Sequence, residues 1–317
     1  MSLPSAFAST LRTAAKQPLT PRRAIRDGTI IAGIVWIIAQ AGGLVGPFTD
    51  ARAYWESGQI PWYSTIVGET NAFTYSPAFG QTVAPFTLLP WPIFAGLWAV
   101  LLFGTLTWMC GRWLPIVIIL PPVAFELYAG NIHILLAAAI MLGWRHPWAW
   151  SFVLLTKVTP GVGLLWFTLR REWRSLAIAL GSTGAIILIS FVLAPNAWFG
   201  WVDYLANTSP PTQATVIPIP LAPRLVAATL VVSWGSLTNR PWTVPVAAML
   251  ALPVLWIGSL AMLLALIARP GSRFGVERRT RARSENHVGP EMAGAARRLA
   301  DVESEVALDR VVAARVH

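Results

Sequence analysis

Charge is the scarcest thing in this sequence. Asp, Glu, Lys and Arg make up 12% of its 317 residues, about half the roughly 25% of a soluble domain. A soluble globule of this size cannot cover its surface with so few charges, so that class is excluded. Cysteine is nearly absent as well. Cys110 stands alone, which excludes an intramolecular disulfide and a cysteine zinc cluster. It ends an apolar segment and reads as a packing residue. His-Glu-x-x-His, an outward-facing Asp-x-Asp pair, a Gly-rich phosphate loop after a strand and a readable Ser-His-Asp order are all missing. The expectation is an all-α protein with no metal and no cofactor.

What the chain does have is apolar sequence in blocks. Hydrophobic residues reach 55%, and the mean hydropathy is +0.58. Ile30–Val45, Phe94–Met109, Ile132–Trp144, Leu176–Leu193 and Val246–Ala268 hold no Asp, Glu, Lys or Arg. Several approach the roughly 20 residues that cross a bilayer as a helix. The 17 Trp and 25 Pro suit a membrane protein, where Trp favours the interface and Pro is tolerated within helices. The net charge of +10 would suggest nucleic acid in a soluble protein. Here the basic residues gather in the tails and short loops, as the positive-inside rule expects, so no nucleic-acid partner is expected.

The reading is a polytopic bundle of about ten spans, placed near 28–46, 92–110, 114–129, 131–144, 147–157, 160–169, 175–194, 223–238, 241–252 and 254–268. Residues 1–27 form a basic cytoplasmic arm, 28–269 the membrane domain, and 270–317 a cytoplasmic, disordered or weakly helical tail. Arg12, Lys16, Arg22, Arg23 and Arg26 hold the N-terminus inside, and the first apolar block reads as an uncleaved span. The segment near 75–89 is short and proline-rich, and is assigned as re-entrant or lying along the outer surface. The pieces 147–157 and 160–169 are too short to cross alone. They read as a helix broken at Lys157-Val158-Thr159-Pro160, whose irregular backbone must face protein or a wet cavity. A single span through 147–169 is the rival. The outer face then collects most of the polar chemistry, so a functional cavity is expected to open outward.

Three places carry candidate chemistry. Asp50 follows the first span at the membrane surface, where a carboxylate can act as a base; the alternative is that Thr49 or Asp50 caps a short helix. Lys157 is the only lysine after Lys16, and an ionisable group at membrane depth calls for an anionic partner; the alternative is a snorkelling lysine. Asn131 and His133, at an outer turn, suit hydroxyl binding, against the alternative of satisfied polar side chains.

These segments together resemble the polyprenol-phosphate-mannose-dependent mannosyltransferases of glycosyltransferase family 87, which have the GT-C membrane fold. The resemblance covers about residues 28–269. It rests on Asp50-x-x-x-Tyr54, Phe73-Thr74-Tyr75-Ser76-Pro77, Gly130-Asn131-Ile132-His133 and Lys157-Val158-Thr159-Pro160 in this order and spacing. It implies an inverting transferase that moves mannose from a polyprenyl-phosphate donor to a lipid or cell-envelope glycan, on the outer side of a bacterial plasma membrane. Asp50 would be the general base. Lys157, with Arg52 or Arg224, would bind the donor phosphate, a leaving group that does not demand a metal. Tyr54, Tyr75, Asn131, His133 and Trp256 would line the sugar and acceptor pocket. Membrane lipids, the donor and a glycolipid or glycan acceptor are the implied partners. One departure stands out. Where the family often has Ser-Pro-x-x-Trp-x-His-His, this chain has Leu252-Pro253-Val254-Leu255-Trp256-Ile257-Gly258-Ser259. The rival classes are a transporter or flippase of a lipid-linked sugar and a catalytically inactive partner subunit.

Overall fold

Prolines and short polar caps decide where the helices of this chain begin. The computed structural model describes residues 20–44, 48–65, 72–207 and 218–266, all within the unit Met1–Ala268. The expected C-terminal tail and most of the expected N-terminal arm lie outside these residues. Helix α1 (Pro21–Ala41) starts upstream of the position hydropathy suggests, because Thr20 accepts a hydrogen bond from the Arg23 backbone N–H and Pro21 occupies the first helical position. Arg22, Arg23 and Arg26 therefore ride on the first turns of a helix rather than in an arm.

In chain order there follow α2 (Thr49–Glu56), α3 (Pro77–Thr87), α4 (Trp91–Cys110), α5 (Leu114–Val117), α6 (Pro121–Ala129), α7 (His133–Gly143), α8 (Trp150–Thr156), α9 (Leu165–Leu169), α10 (Trp173–Leu193), α11 (Pro195–Asn207), α12 (Leu221–Leu237) and α13 (Thr243–Leu250). Short 3-10 segments lie between some of them, and one more, Ile257–Leu266, closes the described chain. No β-strand occurs among the described residues. This is an all-α membrane protein.

Only Pro21–Ala41, Trp91–Val117 and Trp173–Leu193 are long and apolar enough to cross a bilayer as single helices, among the described residues. These helices do not by themselves confirm the expected count of about ten spans. Pro121 and Pro122 open α6 and divide the stretch expected at 114–129, and each lacks the N–H that a helix interior requires. Helices α6 and α7 meet at 112°, with the break at residues 130–132. The break expected at Lys157 is present, since α8 stops at Thr156 and Lys157 is extended. Helix α3 has 11 residues, a rise of about 16 Å, which is too short to cross.

Burial separates the long helices. In the apolar windows of α1 and α10 only 11% and 17% of residues are buried, against 50% for Trp91–Val117. The first two present apolar side chains outward on most sides, as lipid-facing helices do, while α4 runs through the core. Helices α6 and α7 pack on Ile257–Leu266, and α12 packs on α13.

The corner between α6 and α7 positions the rest. Gly130 ends α6 at φ +72, in the left-handed region. A Cβ there would lie 2.6 Å from the Phe48 ring and 2.8 Å from the Ala51 methyl, so only glycine lets α2 dock against the corner. Trp98 of α4 donates to the Gly130 carbonyl at 2.7 Å. On the far side, Ser76 caps α3 and donates to the Leu155 carbonyl, tying α3 to α8.

Candidate functional site

A cavity of about 610 Å³ opens where α2, the α6–α7 corner, the break after α8 and the segment before Ile257 converge. That is the size of a small-molecule site. Asp50 and Tyr54 reach it from α2, Tyr75 from the turn before α3, Asn131 and His133 from the corner, Lys157 from the break, and Trp256 from the last segment. Seven of the side chains singled out in the sequence thus line one wall or another of a single space.

Asp50 sits in the first turn of α2, but that helix has no side-chain cap. The capping alternative is therefore not what the structure contains. The Asn131 amide hydrogen-bonds the Asp50 carboxylate. Burial, and then the nearby Glu126 charge, push the Asp50 pKa up from 3.8 to about 7, with Lys157 and Asn131 pulling the other way. A carboxylate near 7 is poised to take a proton at neutral pH. Helix α2 has 8 residues and lies outside the long apolar helices.

Tyr54 and Tyr75 close one side. Their hydroxyls meet at 3.0 Å, and Tyr54 also donates to Asn131 Oδ1 at 3.3 Å. Burial raises both phenols above their ordinary value, so they stay protonated and hydrogen-bond as neutral groups. Asn131 Oδ1 in addition accepts from the Ile132 N–H at 2.7 Å. Its orientation is fixed from both sides.

Lys157 is different. Its Nζ lies 5.5 Å over the Tyr75 ring, and its charge is felt by Asp50. Among the described residues it makes no hydrogen bond or ion pair. Thr159, beside it on the cavity wall, has a buried hydroxyl oxygen with no partner among the described residues. An ammonium and a hydroxyl with open valence at a break in a helix suit an anion.

The two arginines expected to share that task are placed elsewhere. Arg52 turns away from the cavity, paired to Glu56 at 2.6 Å and sandwiched over Trp55 and Trp91. Arg224 is buried and gives all its bonding to backbone: the carbonyls of Ile219, Leu250, Leu252 and Pro253 accept from it at 2.6–3.0 Å. Three of those carbonyls lie where α13 ends and the chain unwinds, the fourth, of Ile219, lies just before α12, and the guanidinium satisfies them. Arg224 is a structural clamp.

Glu126 was not among the candidate residues. It lines the cavity and accepts from the His133 backbone N–H. Its other oxygen lies 3.1 Å from His133 Nδ1. An acidic residue in an otherwise apolar helix is the signal that could have found it. Among the described residues no group of three His, Cys, Asp or Glu side chains is arranged to hold a metal ion.

Comparison with known proteins adds a second line. Residues 73–282 match the sequence profile of glycosyltransferase family 87; the match starts at Phe73, beyond Asp50. Two curated relatives carry the name polyprenol-phosphate-mannose-dependent alpha-(1-2)-phosphatidylinositol mannoside mannosyltransferase. The one from Mycobacterium tuberculosis is 27% identical over 196 residues, covering 50% of this chain and 45% of that protein. The one from Mycolicibacterium smegmatis is 27% identical over 229 residues, covering 56% and 50%. The chain thus spans about half the length of the curated relatives it matches. No solved structure matches it.

Proposed function

Because the chain belongs to glycosyltransferase family 87, we propose that it is a membrane-embedded inverting glycosyltransferase. It moves mannose from a polyprenyl-phosphate donor to a glycolipid or cell-envelope glycan. The reaction runs on the outer side of a bacterial plasma membrane, with both chain termini inside. One observation carries this reading: Asp50 and Lys157, far apart in sequence, line the same cavity. The names of the two mycobacterial relatives support the choice of donor and of a lipid-borne acceptor.

The chemistry follows from the side chains. Asp50 accepts the proton of the acceptor hydroxyl as that oxygen forms a bond to the anomeric carbon. The bond from that carbon to the donor phosphate oxygen breaks on the opposite face, so a β-linked donor gives an α-linked product. The leaving polyprenyl phosphate keeps the bonding electrons, and the Lys157 ammonium stabilises its charge. Tyr54, Tyr75 and Asn131 hold the base and offer neutral hydrogen bonds to the sugar. Arg52 and Arg224 spend their bonding on other partners, so phosphate binding is assigned to Lys157.

The test is transfer of labelled mannose from polyprenyl phosphate to lipid in membranes containing the protein. Asp50→Asn should lower the rate by roughly 10²–10⁴-fold. A transporter of the same lipid-linked sugar would need the cavity but no base. Transfer that persists at the wild-type rate in Asp50→Asn would end the base assignment.

A further inference from the structure

His133 lines the cavity in the middle of a buried chain of hydrogen bonds. Glu126, His133 and Ser259 are each no more than 1% exposed. Glu126 accepts from the His133 N–H with one oxygen and faces His133 Nδ1 with the other. A carboxylate at Nδ1 holds the proton on that nitrogen, which leaves Nε2 as an acceptor. Ser259 Oγ lies 3.4 Å from Nε2, and the same Oγ accepts from the Trp256 backbone N–H at 3.1 Å. The sequence of donors runs from Trp256 through Ser259 and His133 to Glu126, and it ends on a negative charge. Gly258 makes the approach possible: a Cβ there would stand 2.5 Å from Glu126 Oε2.

This chain links the α6–α7 corner to Ser259, 126 residues away, and through it to the segment just before. That segment, Pro253 to Gly258, is a cavity wall with little helix of its own, and it carries Trp256. Arg224 holds its start through the Leu252 and Pro253 carbonyls. Its end is held where Ser259 meets His133 and where Ile257–Leu266 packs on α6 and α7.

We propose that Glu126, His133 and Ser259 act as a positioning relay that sets the Trp256 wall, and so the fit of the sugar acceptor, without touching the reacting atoms. This rests on the transferase reading for its catalytic consequence, though not for its structural one. His133 is then a positioning residue, and Ser259 completes the relay at the position where the family often has a histidine.

The experiment uses the full-length protein in lipid nanodiscs and two small substitutions. Ser259→Ala removes the hydroxyl. His133→Asn keeps a donor toward Glu126 and removes the acceptor toward Ser259. Hydrogen exchange at the Trp256 amide is read in both and in the double variant. Each single variant should speed exchange about fivefold, the loss of one ordinary hydrogen bond, and the double variant should add nothing. With labelled donor, the acceptor KM should rise severalfold in each while kcat stays within about twofold. Unchanged exchange, or effects that add in the double variant, would overturn the relay. So would a hundredfold fall in kcat at constant KM, which would place His133 at the reacting atoms. If the wild type transfers no sugar while the exchange pattern holds, the relay stands and the transferase reading falls.

Discussion

Lys157 lines the cavity while Arg224 is buried against backbone, and their difference separates scaffold from chemistry. The Arg224 guanidinium donates to four backbone carbonyls. Lys157 has an aromatic face at 5.5 Å and carboxylate charge nearby, with no direct bond among the described residues. The same contrast divides the two carboxylates. Glu126 is tied to His133 through both oxygens, whereas Asp50 is held by Asn131 and its pKa is raised to about 7. A group whose valences are filled by its own chain maintains shape. A group left partly unfilled in a wet cavity is available to a substrate.

The largest effect that would test this contrast is at Lys157. Lys157→Gln should reduce sugar transfer by roughly 10²–10³-fold, the usual cost of removing one charge-stabilising donor, while the purified protein keeps its melting temperature. Arg224→Gln should do the reverse. It leaves buried carbonyls unsatisfied, costs about 3 kcal/mol of stability, and shows as a clear fall in thermal midpoint with little intrinsic change in donor binding. If Arg224→Gln abolished phosphate binding in a protein that still melted normally, the two cations would have been assigned the wrong way round.

The carboxylates give a pH prediction. Asp50 works only when deprotonated, so kcat/KM should fall about tenfold per pH unit below pH 7 and level off above it. Because the Glu126 charge helps raise that pKa, Glu126→Gln should move the acid limb toward lower pH. A limb that stays in place would show that burial alone sets it. The smallest effect belongs to Arg52. Its pair with Glu56 is partly exposed, and pairs of that kind contribute under about 1 kcal/mol, so Arg52→Gln should leave both activity and stability close to wild type. A large loss of transfer would return Arg52 to the phosphate site.

The sequence made the class plain, and local signals served well where the cause was local. Gly130-Asn131 marked a turn, Lys157-Val158-Thr159-Pro160 marked a break, and the uncharged runs at α4 and α10 marked long helices. The number of spans was the least legible part, for a physical reason. Hydropathy sees apolar side chains but not the backbone N–H that Pro121 and Pro122 lack, so continuous apolar sequence was read as continuous helix. The start of α1 was legible in Thr20-Pro21, yet the apolar block beginning further on outweighed it. The bonds of Arg224 to Leu250, Leu252 and Pro253, and the meeting of His133 with Ser259, arise from residues brought together only by the packed bundle. No spacing along the chain records them.

The corner at Gly130 has a consequence for anyone reshaping this cavity. With α2 seated in the space a side chain would occupy, the carboxylate of Asp50 and the amide of Asn131 behave as one machined part, and substitutions there trade function against assembly. A second part of the lining, Trp201, Leu205 and Leu221 from α11 and α12, lies outside that corner. Acceptor preference should be retuned from that side, by changing volume against a fixed reaction centre.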